Sequence, residues 1–201
     1  MNRLIIIGAG GHGKVIADNA YKNGYTEICF VDDNQTGDCM GFPIIGVSAD
    51  IDELNDGKTD FVIGIGNNGV RKAVSEKHDV NWITLIHPSA NIAFNAQIGK
   101  GTVVMAGAVI NASAIVGDHC IINTGAVVEQ DNLIENFVHI SPKAALGGTV
   151  RIGECTHIGI GAVVKNNVEI CDRTVIGAGA VVVKNKAQEG TYVGVPARKI
   201  K

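Results

Sequence analysis

From Ile92 onward an aliphatic residue returns at every sixth position: Ile92, Ile98, Val104, Ile110, Val116, Ile122, Val128, Ile134, Ile140, Leu146, Ile152, Ile158, Val164, Ile170, Ile176 and Val182. The residue two places before each is mostly small, as at Ala90, Thr102, Ala108, Cys120, Ala126, Thr156, Thr174 and Ala180, and glycine often follows, as at Gly99, Gly117, Gly153 and Gly177. A period of six is a repeat signature of a parallel β-helix, each hexad supplying one short flat strand and a turn. Three hexads close a triangular coil, so the run predicts about five coils of roughly 18 residues. The chain before it follows another pattern. Leu4–Ile7, Ile28–Val31 and 61–65 read as buried strands, and 14–23 and 69–78 as helices, an alternation that argues for a parallel sheet. Residues 83–86 are expected to join that sheet, with the boundary at His87–Pro88. The expectation is an α/β, Rossmann-like domain over 1–86 and an all-β parallel β-helix over 87–201.

Composition sharpens this picture. Hydrophobic residues make up 46% of the chain and aromatics only 4%, with 26 glycines, so Ile, Val and Ala carry the apolar content, which suits narrow stacked layers. The net charge of −3, from 17 basic and 20 acidic residues with no long like-charge run, offers no footprint for nucleic acid or a membrane surface. The apolar run Leu4–Ile7 is too short for a signal peptide or a membrane span. Cys29, Cys39, Cys120, Cys155 and Cys171 are odd in number and lack metal-site spacing, which predicts reduced thiols and a cytoplasmic protein.

Gly8-Ala9-Gly10-Gly11-His12-Gly13 fits G-x-G-x-x-G between a strand and a helix, where glycines admit a phosphate and the helix N-terminus offers free N–H groups. Asp32 and Asp33 close the next strand, and Gly66-Asn67-Asn68 ends a third. A nicotinamide site would need two mononucleotide-binding halves, and the first domain has room for one. A P-loop fails because Val15 stands where Ser or Thr must hold Mg²⁺. The loop is therefore a phosphate cradle or a ligand-free strand-to-helix turn. His12 either donates to a phosphate or caps the turn; Asp32 and Asp33 accept from a ribose or base, or start a turn. His139 and His157 lie one coil apart. Two aligned histidines fall short of a zinc set, so no metal is expected, and His157 reads as a turn or solvent-facing residue.

Together the glycine loop, Asp32-Asp33, Ile65-Gly66-Asn67-Asn68, Ile86-His87-Pro88-Ser89-Ala90, the hexads and Gly194-Val195-Pro196-Ala197-Arg198 resemble the bacterial hexapeptide-repeat sugar acetyltransferases, which include sialic acid O-acetyltransferases and UDP-4-amino-sugar (bacillosamine-type) N-acetyltransferases. The resemblance covers nearly the whole chain. It implies a left-handed β-helix, a homotrimer, a nucleotide-sugar site in the small domain and acetyl-CoA as co-substrate in the groove between neighbouring β-helices. By position, Gly10, Gly11, His12, Asp32, Asp33 and Gly66 match the nucleotide-sugar contacts, and His139, Ile160 and Ala178 the acetyl-CoA contacts. The implied activity is N-acetylation of a UDP- or GDP-linked amino sugar for bacterial polysaccharide or other glycan biosynthesis, with sugar O-acetylation or a non-catalytic trimeric scaffold as alternatives. The family's base is a His followed by an acid that orients it, and here Gln130 and Asp131 hold those two places. An amide hydrogen-bonds but takes no proton at neutral pH, and losing such a base costs about 10²- to 10⁴-fold in rate. The expectation is thus an enzyme with its base replaced, a slow one, or one with another base.

Overall fold

The computed structural model describes residues 3–200. Strand β1 (Leu4–Ile7) and helix α1 (Gly11–Lys22) lead to β2 (Ile28–Val31), a hairpin of β3 (Asp38–Cys39) and β4 (Phe42–Pro43), the single turn α2 (Ile51–Leu54), β5 (Asp60–Ile63) and α3 (Asn68–Lys77). The parallel sheet has the order β2-β1-β5. Every residue of its three strands is buried, as continuous apolar runs require when both faces are covered. Ile16, Ala17 and Ala20 of α1 cover Ile6 and Phe30 on one face, and Ile51, Val80 and Trp82 cover Ile5, Phe61 and Ile63 on the other. The first helix starts three residues earlier than position 14, with the Lys14 N–H already bonded to the Gly10 carbonyl at 3.1 Å. This puts Gly11, His12 and Gly13 in its first turn.

From β6 (Leu85–Ile86) to β22 (Val181–Val182) the chain winds as seventeen two-residue strands, three to a coil, giving between five and six coils of a left-handed parallel β-helix. Each strand as far as Val163–Val164 pairs in parallel with the one 18 residues on, so three sheets form the faces of a prism. Face 1 holds Leu85–Ile86, Val103–Val104, Ile121–Ile122, His139–Ile140, His157–Ile158 and Val175–Ile176; face 2 runs from Asn91–Ile92 to Val181–Val182; face 3 runs from Gln97–Ile98 to Glu169–Ile170. The second residue of each strand points into the prism, and these residues form one core with the small residues two places earlier. Along one inner edge the residue is Thr or Cys in every coil except at Val138, and its buried group is bonded: the Thr102 hydroxyl donates to Gly117 O at 2.8 Å, and that of Thr156 to Cys171 O at 2.9 Å.

The corners explain the period. Backbone φ is positive at Gly101 and at every sixth residue through Gly179, including Ser113, His119, Asp131, Phe137, Lys143, Thr149, Cys155, Asn167 and Arg173. A left-handed conformation costs a side-chain-bearing residue about 1–2 kcal/mol. The stack offsets this cost with a hydrogen bond at each corner, as from Asp131 N–H to Ala112 O at 3.1 Å and from Phe137 N–H to Asp118 O at 2.9 Å.

Leu85–Ile86 departs from expectation: it pairs with Val103–Val104 on face 1, so the β-helix register begins at Ile86. A Phe61–Trp82 bridge, closed by the Ile83 N–H to Phe61 O bond of 3.1 Å, ties the residues just before this segment to the first sheet, and Thr84 is already bound to Gly99 O at 2.7 Å. The outward side chains of Leu85, Val103 and Ile121 share a core with Leu4, Ile6 and Ile16, which is how the α/β half sits on face 1. Beyond β22, β23 (Thr191–Val193) extends face 1 and β24 (Arg198–Lys199) folds back against it, sealing the prism with Tyr192 and Ala197. Among the described residues no helix is long and apolar enough to cross a membrane.

Candidate functional site

A cleft of about 450 Å³ opens at the carboxyl ends of β1, β2 and β5, lined by Gly10, Gly11, His12, Asp32, Asp33 and Gly66 together with Ser48 and Val70. Ligands of open α/β sheets bind at this edge. The glycines divide by role. A Cβ on Gly13 would overlap the Gly8 carbonyl, and one on Gly64 would lie 2.7 Å from the same oxygen, so these two let helix and strands approach. A Cβ on Gly10, Gly11 or Gly66 would meet nothing within 4 Å, and these three face the open cleft. Beside them α1 begins without a side-chain cap or an acidic residue in its first turn, leaving its terminal N–H groups and positive dipole end for an anion.

The two aspartates build the cleft wall. Asp32 accepts from Ala9 N–H at 2.7 Å, pinning the glycine loop, and from Asn34 and Gln35 N–H at 2.8 and 3.0 Å, so it does start a turn. Asp33 accepts from the N–H and hydroxyl of Ser48 at 2.7 and 2.9 Å, bonds that hold its carboxyl below the usual range. Each carboxylate keeps acceptor capacity beyond these bonds.

Where the α/β half meets face 1, three histidines gather. His12 lies 6.4 Å from His139, ring centre to ring centre, and His139 stacks on His157 at 4.7 Å with the planes 2° apart. His157 is thus a strand residue in the seam, not a turn or solvent-facing one, because the 18-residue register sets it directly on His139. The Asn123 amide faces His139 Nε2 at 3.1 Å; its oxygen takes the Thr124 N–H at 2.8 Å, so its nitrogen is the donor and the His139 proton sits on Nδ1. The Ser141 hydroxyl meets His157 Nε2 at 2.7 Å. Burial, then the charges of His157, Arg71 and His12, hold His139 down to about 3. Burial and then Arg71 hold His12 down to about 4 and also lower His157. In each case the shift favours the neutral ring.

Ile160 and Ala178 lie on the corner that follows His157 and Val175, stacked one coil apart and joined by the Gly179 N–H to Ile160 O bond of 2.8 Å. Ile160 is 60% exposed, an apolar ridge running from the histidines toward the carboxyl end of the prism. Gln130 and Asp131 are not brought to this place. They form the corner between faces 2 and 3, whereas the cleft and the histidines lie at face 1 of the same chain. Asp131 holds the positive-φ corner position, and among the described residues no side-chain bond joins it to Gln130. Gln130 is exposed and packs over Gly148. Among the described residues no three His, Cys, Asp or Glu converge as a metal site.

Sequence reasoning missed Arg71 and Asn123, and it singled out Asn68 as part of the Gly66-Asn67-Asn68 turn without its bonds to the β-helix; each acts through a contact between segments far apart in the chain. The only signal for Arg71 and Asn68 is their spacing of three on one helix face, next to the Gly66-Asn67 turn.

An α/β half docked on one face of a left-handed β-helix, with an open glycine-lined cleft at the junction, defines a two-part hexapeptide-repeat protein. The PglD N-terminal domain family matches residues 3–78, and the bacterial transferase hexapeptide (six repeats) family matches 95–130 and 149–184. The acetyltransferase domain of PglB from Neisseria gonorrhoeae, solved with acetyl coenzyme A, is 41% identical with a TM-score of 0.97 over 99% of both chains. PerB from Caulobacter crescentus, solved with CoA and GDP-perosamine, is 35% identical with a TM-score of 0.95 over 100% of this chain and 98% of its own. A UDP-N-acetylbacillosamine N-acetyltransferase of Bacillus subtilis is 42% identical over 113 residues, a match spanning about half of either protein, 53% of this chain and 52% of that one. The chain belongs to the hexapeptide-repeat acetyltransferases that carry a PglD N-terminal domain.

Proposed function

We propose that the protein transfers acetyl from acetyl-CoA to the amino group of a nucleotide-linked amino sugar, in the cytoplasm, for bacterial polysaccharide or other glycan synthesis. One observation carries the reading: the glycine-lined cleft opens beside the His139–His157 stack, where the exposed Ile160–Ala178 ridge begins. The solved relatives with CoA and GDP-perosamine, or with acetyl coenzyme A, support it.

Gly10, Gly11 and the α1 terminus take the diphosphate, Asp32 and Asp33 the ribose or base, and Gly66 the far edge. Ile160 and Ala178 line the groove for acetyl-CoA, which supplies the acetyl group as a thioester. His139 borders the reacting end, its Nδ1 proton and its neutral state set by Asn123 and by burial. A homotrimer fits this division. Face 2 turns Val109, Val127, Ala145, Val163 and Val181 outward, an apolar stripe suited to a second copy, and Gln130 on the next corner would reach a neighbour's cleft. Gln130 holds a hydrogen bond to the sugar but accepts no proton, so turnover is slow or another base serves. Gln130 is also the observation that favours a non-catalytic sugar-nucleotide scaffold as the second reading.

The test is thiol release from acetyl-CoA with UDP-4-amino, GDP-4-amino and CMP-sialic acid acceptors, alongside thermal shifts with each nucleotide. Binding at a hundred times the dissociation constant adds about 2.7 kcal/mol of stability. Thiol release with an amino sugar supports the reading; release only with hydroxyl acceptors makes the protein an O-acetyltransferase, and tight binding without release favours the scaffold.

A further inference from the structure

Arg71 heads the largest fully buried side chains of the protein, 1% exposed, and among the described residues no carboxylate lies within ion-pair reach of it. A buried cation without a counter-ion is costly and persists only where its donors are all met. Here they are. Nε donates to His119 O at 2.7 Å, Nη1 to Ile65 O and Gly66 O at 3.1 and 3.2 Å, and Nη2 to Asn68 Oδ1 and Phe137 O, both at 2.8 Å. A guanidinium has five N–H groups, and five acceptors meet them. His119 and Phe137 occupy the same corner one coil apart, both with positive φ, and Ile65 and Gly66 line the cleft. One side chain therefore fastens the cleft edge to two successive coils, beside the strands that carry His139 and His157. Asn68 adds to the joint by donating to Cys155 O and Thr156 O at 2.9 and 3.1 Å.

We propose that Arg71 is a positioning residue that locks the Ile65–Gly66 edge of the cleft to the β-helix corners at His119 and Phe137, fixing the nucleotide-sugar against the His139–His157 end of the acetyl-CoA groove, with its unneutralised charge acting on both. The proposal rests on the acetyltransferase reading. The ionisable groups facing Arg71 are His12 from α1 and His119, Cys120, His139, Cys155 and His157 from the β-helix. Burial is the leading cause of the low pKa of His12, His119, His139 and His157, and the Arg71 charge adds to it in the same direction.

Arg71→Lys keeps the charge but cannot span the loop and both corners, whereas Arg71→Gln removes the charge as well. Calorimetry with UDP, GDP and CoA, and thiol release against pH, separate the two effects. Arg71→Lys should leave CoA affinity unchanged, weaken the preferred nucleotide about tenfold, and lower kcat by about 10²-fold, the scale of a 1 Å misplacement, with the acid limb of kcat/KM in place. Arg71→Gln should in addition move that limb to higher pH, because removing a nearby positive charge lets the histidines protonate more readily. Asn68→Ala leaves Arg71 present and should lower nucleotide affinity and kcat in the same sense but less, which keeps the test open if the Arg71 variants do not fold. Wild-type kcat and nucleotide affinity in Arg71→Lys or Asn68→Ala overturns the positioning role, and equal acid limbs in the Lys and Gln variants overturn the role of the charge. A wild-type protein that binds nucleotide but transfers nothing sinks the acetyltransferase reading instead, and nucleotide affinity in the variants then still decides the lock.

Discussion

Gly11 and Gly13 share one helical turn but do different work. Gly13→Ala would drive a methyl into the Gly8 carbonyl, and overpacking against backbone costs about 1–3 kcal/mol, read as a lower urea midpoint. A Cβ on Gly11 meets no protein atom within 4 Å and points into the open cleft, so for Gly11→Val we expect a melting temperature near wild type, lost UDP or GDP binding and intact CoA binding in calorimetry. Equal loss of both ligands would mean that the loop is only structural. Gln130 supplies the third prediction. If the rest of the site is intact and only the proton acceptor is missing, Gln130→His should raise kcat by about 10²-fold with little change in either KM, the pattern of a group acting mainly in the transition state. A variant with unchanged turnover would point to another base. The glycine loop and both aspartates were legible in the sequence because spacing between a strand and a helix fixes where they stand. What each does was less legible. That Asp32 pins Ala9, or that His157 lies flat on His139, depends on contacts across 23 and 18 residues. Arg71 was invisible for a related reason: an arginine on a polar helix reads as solvated, and only docking on the β-helix buries it.

The β-helix was legible almost in full, since each hexad repeats its register independently of distant contacts. Its start was misread: Leu85–Ile86 is apolar enough for either sheet, and the Thr84–Gly99 bond that commits it to face 1 leaves no trace in the hydrophobic pattern. The register itself can be tested. Repeating residues 163–180 in tandem adds one whole coil and returns every later residue to its own face, because Val163 already pairs with Val181. Repeating only 163–168 moves every later residue to the next face, so Val175–Ile176, with the Thr191–Val193 strand still paired to it, leaves its partner His157–Ile158 on face 1, and the Thr174 N–H loses the Thr156 hydroxyl. Circular dichroism should show a cooperative melt within a few degrees of wild type for the longer insertion and a clearly lower one for the shorter. Similar melts for both would mean that the carboxyl-terminal cap does not depend on face register.

At the scale of the whole molecule, the seam between the halves is closed by apolar packing, by Arg71 and by histidines held neutral, which ties the joint to pH. His12 and His119 are held down to about 4 and His139 to about 3, in each case chiefly by burial, from an ordinary value of 6.5. A histidine whose folded pKa is depressed binds fewer protons folded than unfolded in the window between the two values, so stability rises with pH there. The contribution of these groups is fully present above about pH 6.5 and is lost progressively as pH falls through 6.5 toward 4. Asp33 and Asp56 are also lowered, by hydrogen bonds from Ser48 and from Lys58 and Thr59, but from an ordinary value of 3.8, so their stabilisation is lost only below that pH. The interval from pH 6.5 to 4.5 therefore reports mainly on the seam. We expect the urea midpoint to fall steadily across it, and to fall less steeply in His119→Phe, whose apolar ring keeps the stack between Trp82 and Phe137 without a proton to gain. A midpoint constant from pH 7 to 5, or an unchanged slope in His119→Phe, would mean that these rings take up protons without opening the joint.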